Sequence, residues 1–85
     1  MSKRSYLTKR DKLLLNYLIK DRIDKLMEYK DVPITDNDTV VLYLEIVRYV
    51  QLGDTLHLDI NELIDPEEYL KMKKFLLLKG YEIDD

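Results

Sequence analysis

The 85-residue chain has no cysteine, one histidine, two glycines and two prolines. The lack of cysteine excludes a disulfide scaffold and any thiolate metal site, and it fits a reducing compartment. Serine occurs only at Ser2 and Ser5. With a single histidine and no thiol, a nucleophile, a base and an orienting acid are hard to bring within hydrogen-bond reach. The sequence therefore predicts a non-catalytic protein that needs no cofactor and holds no metal. Gly53 and Gly80 each stand alone, so there is no glycine-rich loop to cradle phosphate. No run approaches the roughly 18 apolar residues of a membrane span, and the opening MSKRSYLTKR lacks the apolar stretch of a signal peptide. The expectation is a soluble, cytoplasmic chain with no membrane partner.

What the sequence does contain is 46% hydrophobic and 36% charged residues, the composition of a folded, helix-rich domain. A chain this short buries only roughly 60% of its unfolded surface, so one modest core must hold it. The expected organisation is a flexible basic N-terminus over residues 1–7 and a single small globular domain over 8–85. Charge is polarised along it. Residues 1–31 carry nine Lys/Arg against five Asp/Glu, and residues 32–85 carry five against twelve. A basic half can meet phosphates or an acidic protein surface; an acidic half can meet a basic partner.

Residues 35–53, TDNDTVVLYLEIVRYVQLG, are the most apolar stretch. On a wheel of about 100° per residue, Val40 through Leu52 leave only a narrow strip for Glu45, Arg48 and Gln51, which predicts a helix with neighbours on most sides. Its β-branched residues also suit a strand, but its length and its caps favour the helix. Thr35 or Asp36 can open it and Gly53 can end it. Before it, Thr8 with Asp11 three positions on resembles a capping box, predicting a first helix over about 8–30. Leu14, Leu15, Leu18, Ile19, Ile23, Leu26 and Tyr29 form its expected core stripe; Leu13, Tyr17 and Met27 fall outside as a thinner apolar strip. Val32-Pro33 stops this helix. After Gly53, the alternation over 55–60 predicts a half-buried strand. Asp65-Pro66-Glu67-Glu68 then opens a third helix ending at Gly80, and residues 81–83 could pair beside the strand. The predicted fold is mainly α: three helices around a central apolar helix, with a short two-stranded β element near the C-terminus, in the order α-α-β-α-β.

Few motifs carry chemistry. Asp36-Asn37-Asp38 looks like the start of an EF-hand loop, but Val40, Val41 and Val47 occupy positions that need a ligand, a glycine and a bidentate glutamate. Asp59, Glu62 and Asp65 are spaced for a loose divalent cation at best. His57 beside Asp59 reads as an exposed histidine. Lys3, Arg4, Lys9, Arg10 and Lys12, with Tyr6 interleaved, form a basic arm running into the first helix, which could contact phosphates.

The chain is similar in style to small accessory proteins of viruses and mobile elements, although no motif assigns it to a family. By elimination, and from seven tyrosines suited to interfaces, the predicted role is a protein-binding accessory or regulatory protein, an inhibitor or assembly component. Its contact residues would be Leu13, Tyr17 and Met27, with a homodimer as one arrangement. The alternative is a small nucleic-acid-binding regulator using Lys3, Arg4, Lys9, Arg10 and Lys12.

Overall fold

A computed structural model describes residues 7–83. It is mainly helical, with α1 at Lys9–Met27, α2 at Asp36–Thr55, a single-turn α3 at Ile60–Leu63 and α4 at Pro66–Leu78. A 3₁₀ turn, Glu28–Asp31, extends α1. Apart from Leu7, the expected flexible stretch 1–7 lies outside the described residues.

Each helix opens on a side-chain cap. The Thr8 hydroxyl accepts from the Asp11 N–H at 3.0 Å, and the Asp11 carboxylate accepts from the Thr8 N–H at 3.2 Å, the reciprocal box that the spacing predicted. Thr35 accepts from the Asp38 N–H, Asp59 from the Asn61 N–H and Asp65 from the Glu67 N–H, at 3.1, 3.0 and 3.1 Å. Each such cap contributes about 1 kcal/mol. Pro66 takes the first turn of α4, where its missing donor costs nothing.

The ends of α2 and α4 are alike in form and differ in residue. At α4, Gly80 adopts φ 96° while its N–H bonds the Leu77 carbonyl and the Tyr81 N–H bonds the Leu76 carbonyl, both at 3.0 Å. This is a Schellman turn, at the glycine expected to end the helix. At α2 the same pair of bonds runs from His57 to Asp54 at 2.9 Å and from Leu58 to Gly53 at 2.8 Å. The left-handed residue is therefore His57, at φ 63°, and not Gly53. The glycine lies buried inside the helix because the Leu63 side chain occupies the space where its Cβ would project.

That turn also corrects the predicted β element. Among the described residues there is no strand: residue 55 closes α2, 56–57 form the turn, Asp59 caps α3, and 81–83 are irregular. Leu56, Leu58 and Ile60 still pack against the core, and residues 55, 57 and 59 still face solvent. The alternation is therefore a true burial pattern made by a helix end and a cap, not by a ladder. Residues 40–50 are helical throughout.

The core joins Ile19 and Ile23 of α1, five apolar residues of α2 from Val40 to Val50, Leu63 and Ile64, and Met72 and Leu76 of α4. Each fully buried side chain of this size contributes about 1.5–3 kcal/mol. α2 packs against α1, α3 and α4; the Tyr43 and Phe75 rings meet edge to face at 5.2 Å. Apolar residues nonetheless remain uncovered on α2, at Val41 and Leu52. Two ion pairs tie the ends of α4 to the chain around the α1–α2 connection: Lys30 to Glu68 at 2.8 Å and Lys79 to Asp36 at 3.1 Å.

Candidate protein-contact face on α1

The burial of α1 departs from the expected stripe in a regular way. Ile19 and Ile23 are buried, and Lys12, Leu15, Asn16, Leu26 and Met27 are half-buried. On the helical wheel this arc is turned by about 70° from the stripe that the sequence suggested. Leu14, Leu18 and Tyr29, expected inside, lie exposed; Met27, expected on the outer strip, packs against the core. The cause is α3. Residues 56–64 return across α1 and place Leu63 and Ile64 beside Ile23 and Met27, so the inner face of α1 must serve two neighbours rather than α2 alone.

The roll leaves Leu13, Leu14, Tyr17 and Leu18 together on the face opposite the core, at 70, 58, 66 and 52% exposure. Positions i, i+1, i+4 and i+5 form a continuous ridge on a helix. Two salt bridges continue along the outside toward the C-terminal end: Lys20 to Asp24 at 3.2 Å and Lys25 to Asp21 at 3.3 Å. Both are solvent-exposed i,i+4 pairs that support the helix by a few tenths of a kcal/mol.

Leu13 also borders a groove of about 460 Å³ between the start of α1 and the turn after α2. One wall is Lys9, Lys12, Leu13 and Asn16; the other is His57, Leu58, Asp59 and Glu62. The groove is mixed in sign. Asn16, which lines this groove, has a buried side-chain oxygen with no hydrogen-bond partner, the result of a polar residue carried into the inner arc by the roll of α1.

The residues of the nucleic-acid reading are dispersed. Lys3 and Arg4 lie outside the described residues. Lys9 and Lys12 are neighbours on α1 but share their groove with Asp59 and Glu62, and Arg10 lies at least about 100° away from both on the wheel. No group of three or more His, Asp or Glu able to hold a cation occurs among the described residues. Asp59 and Asp65 are occupied as helix caps, and Asp36 pairs with Lys79. No described helix is long and apolar enough to cross a membrane. Sequence reasoning missed a second exposed apolar group, Leu70, Leu77 and Leu78 on α4. Its spacing of seven and eight residues is the signal that could have found it.

The electrostatics are most defined away from this face. The hydrogen bond from Lys30 lowers the pKa of Glu68, and the same bond raises that of Lys30 against the opposing effect of burial. Both side chains are less than one-third exposed, so this pair is better shielded than those on α1. It acts as a clamp between the 3₁₀ turn that extends α1 and the first turn of α4. Comparison with known proteins finds no family model, curated protein or solved structure that matches this chain.

Proposed function

We propose that this chain is a small non-catalytic protein-binding domain, of accessory or regulatory type, whose contact surface is the outer ridge of α1. The observation that supports it is the grouping of Leu13, Leu14, Tyr17 and Leu18, each more than half exposed, on one face of a well-capped helix. Scattered exposed leucines are ordinary, but a contiguous apolar ridge flanked by charge is what partner sites present. Tyr17 suits the centre of such a site, because its ring buries a large area at low entropy cost while its hydroxyl stays paired or wet.

Affinity capture from the source cells tests the reading, with the wild-type chain compared with Tyr17→Asp and Leu14→Asp. Both variants are expected to keep the helical circular dichroism of the wild type, since neither side chain is buried. Proteins retained by the wild type and lost with both variants are the expected result. Identical retention by all three chains would overturn the proposal. So would recovery of nucleic acid with binding that falls steeply with salt, the mark of phosphate contacts.

A further inference from the structure

We infer that the partner of the α1 ridge is a second copy of this chain, docked antiparallel through the same face; this rests on the protein-contact reading above. Charge placement points to it. Arg10 and Asp21 lie at nearly the same angle on the wheel as the centre of the ridge, one at each end of it. Both are exposed on α1. The seam therefore reads Arg10, Leu14, Tyr17, Asp21, with Leu13 and Leu18 on its two flanks. These spacings of four, three and four residues are those of a helix–helix seam.

A twofold axis perpendicular to two antiparallel helices, placed midway between Leu14 and Tyr17, brings each residue opposite a defined mate. Residue numbers at each layer then sum to a constant. Leu14 faces Tyr17 of the second copy, Tyr17 faces Leu14, Arg10 faces Asp21, and Asp21 faces Arg10. Every layer is complementary, and the two apolar layers are closed at each end by an ion pair. Asp21 already pairs with Lys25 of its own helix at 3.3 Å, so Arg10 of the second copy completes a three-charge cluster. A parallel arrangement places Arg10 against Arg10 and Asp21 against Asp21, which repel. The same surface used twice, with residue i meeting j and j meeting i, is the form that twofold dimers take.

The seam is about 18 Å long at 1.5 Å per residue, a small interface. The dimer is accordingly expected to form on the order of tens of micromolar. Sedimentation equilibrium of the full 85-residue chain, from about 5 µM to 1 mM, reads the association; these limits bracket that estimate. Arg10→Asp and Asp21→Arg are each expected to weaken it at least tenfold, because each creates two like-charge layers. The first variant carries an acid at both ends of its seam, and the second a base at both ends. Mixing the two therefore sets opposite charges against each other in every charged layer, and is expected to return a heterodimer of near wild-type affinity. That rescue also controls for helix damage, which mixing would not repair.

A wild-type chain that stays monomeric to about 1 mM overturns the inference and leaves the protein-contact reading to the capture experiment. A dimer that ignores both charge variants but dissociates with Tyr17→Asp overturns the antiparallel register while supporting the ridge. A dimer indifferent to Tyr17→Asp as well overturns the use of this ridge for self-association.

Discussion

Replacing Gly53 with alanine is expected to destabilise the protein, although the same change in most helices does the opposite. In an open helix interior, alanine is about 1 kcal/mol better than glycine. Here a methyl at position 53 would overlap the Leu63 side chain, which is itself buried. The overlapping atom is a terminal methyl, so Leu63 must turn away from α2 and give up the packing it has there. Overpacking of this kind costs about 1–3 kcal/mol. The net expectation is a loss of about 1 kcal/mol, or a fall in Tm of about 4–8 °C for a domain of this size.

The companion change isolates the cause. Leu63→Ala alone opens a cavity and should cost about 2–5 kcal/mol. In that background the methyl at 53 has room, so Gly53→Ala should now stabilise by about 1 kcal/mol. The sign reverses, and the coupling between the two positions is about 2 kcal/mol, within the range of residues in contact. Urea unfolding of the four chains, followed by helical circular dichroism, measures it. If Gly53→Ala stabilises the wild type by as much as it stabilises the Leu63→Ala chain, α3 does not rest on α2 at this point, and the roll of α1 must have another cause.

Three further outcomes follow from the geometry. His57→Gly should stabilise by about 1 kcal/mol in chemical denaturation, because glycine adopts the left-handed conformation without the clash that a side chain carries; no gain would mean that His57 contributes a compensating contact. Leu76→Ala should cost about 2–5 kcal/mol and Leu78→Ala less than about 0.5 kcal/mol, since Leu76 is fully buried and Leu78 is 87% exposed; similar losses would misplace the inner face of α4. Glu68 is held below its ordinary value of 4.5 by its hydrogen bond to Lys30. The stability it contributes is therefore present above about pH 4.5 and lost as pH falls through the lowered value. Lys30 is raised above 10.5, so its share is complete below that pH and lost as pH rises through the raised value. The difference in stability between wild type and Glu68→Gln should accordingly be largest near neutrality and shrink as pH falls below about 4.5, and a difference independent of pH would refute the clamp.

The helix starts are legible in the sequence because their chemistry is local. Thr8 with Asp11, and Asp65 with Pro66, declare themselves within three residues, and the structure places caps at both. The inner face of α1 is not legible, because α1 carries apolar residues over most of its circumference and the choice among them is made by a distant segment. With residues 55–60 read as a strand, no helix is expected to return across α1 near Ile23. The stripe is then drawn for a single neighbour, which places Leu14 and Leu18 inside and Met27 outside. The candidate contact face is accordingly half visible: Leu13 and Tyr17 stand out by position, whereas Leu14 and Leu18 join them only through the roll. Gly53 misleads for a related reason. A glycine near a helix end suggests a stop, and only the packing of Leu63 shows that it permits close approach instead.

The four side-chain caps also bear on how fast the chain reaches its fold. Thr8, Thr35, Asp59 and Asp65 each bond a backbone N–H two or three residues away, so helix boundaries can be set before any distant segments have met. Distant closure is left to the apolar core and to the pairs Lys30–Glu68 and Lys79–Asp36, 38 and 43 residues apart. A chain whose contacts are this local folds on a timescale on the order of microseconds to milliseconds. The slow step should then be the arrival of α4, because its anchors, Lys30 and Asp36, lie on either side of the α1–α2 connection, 38 and 43 residues back along the chain.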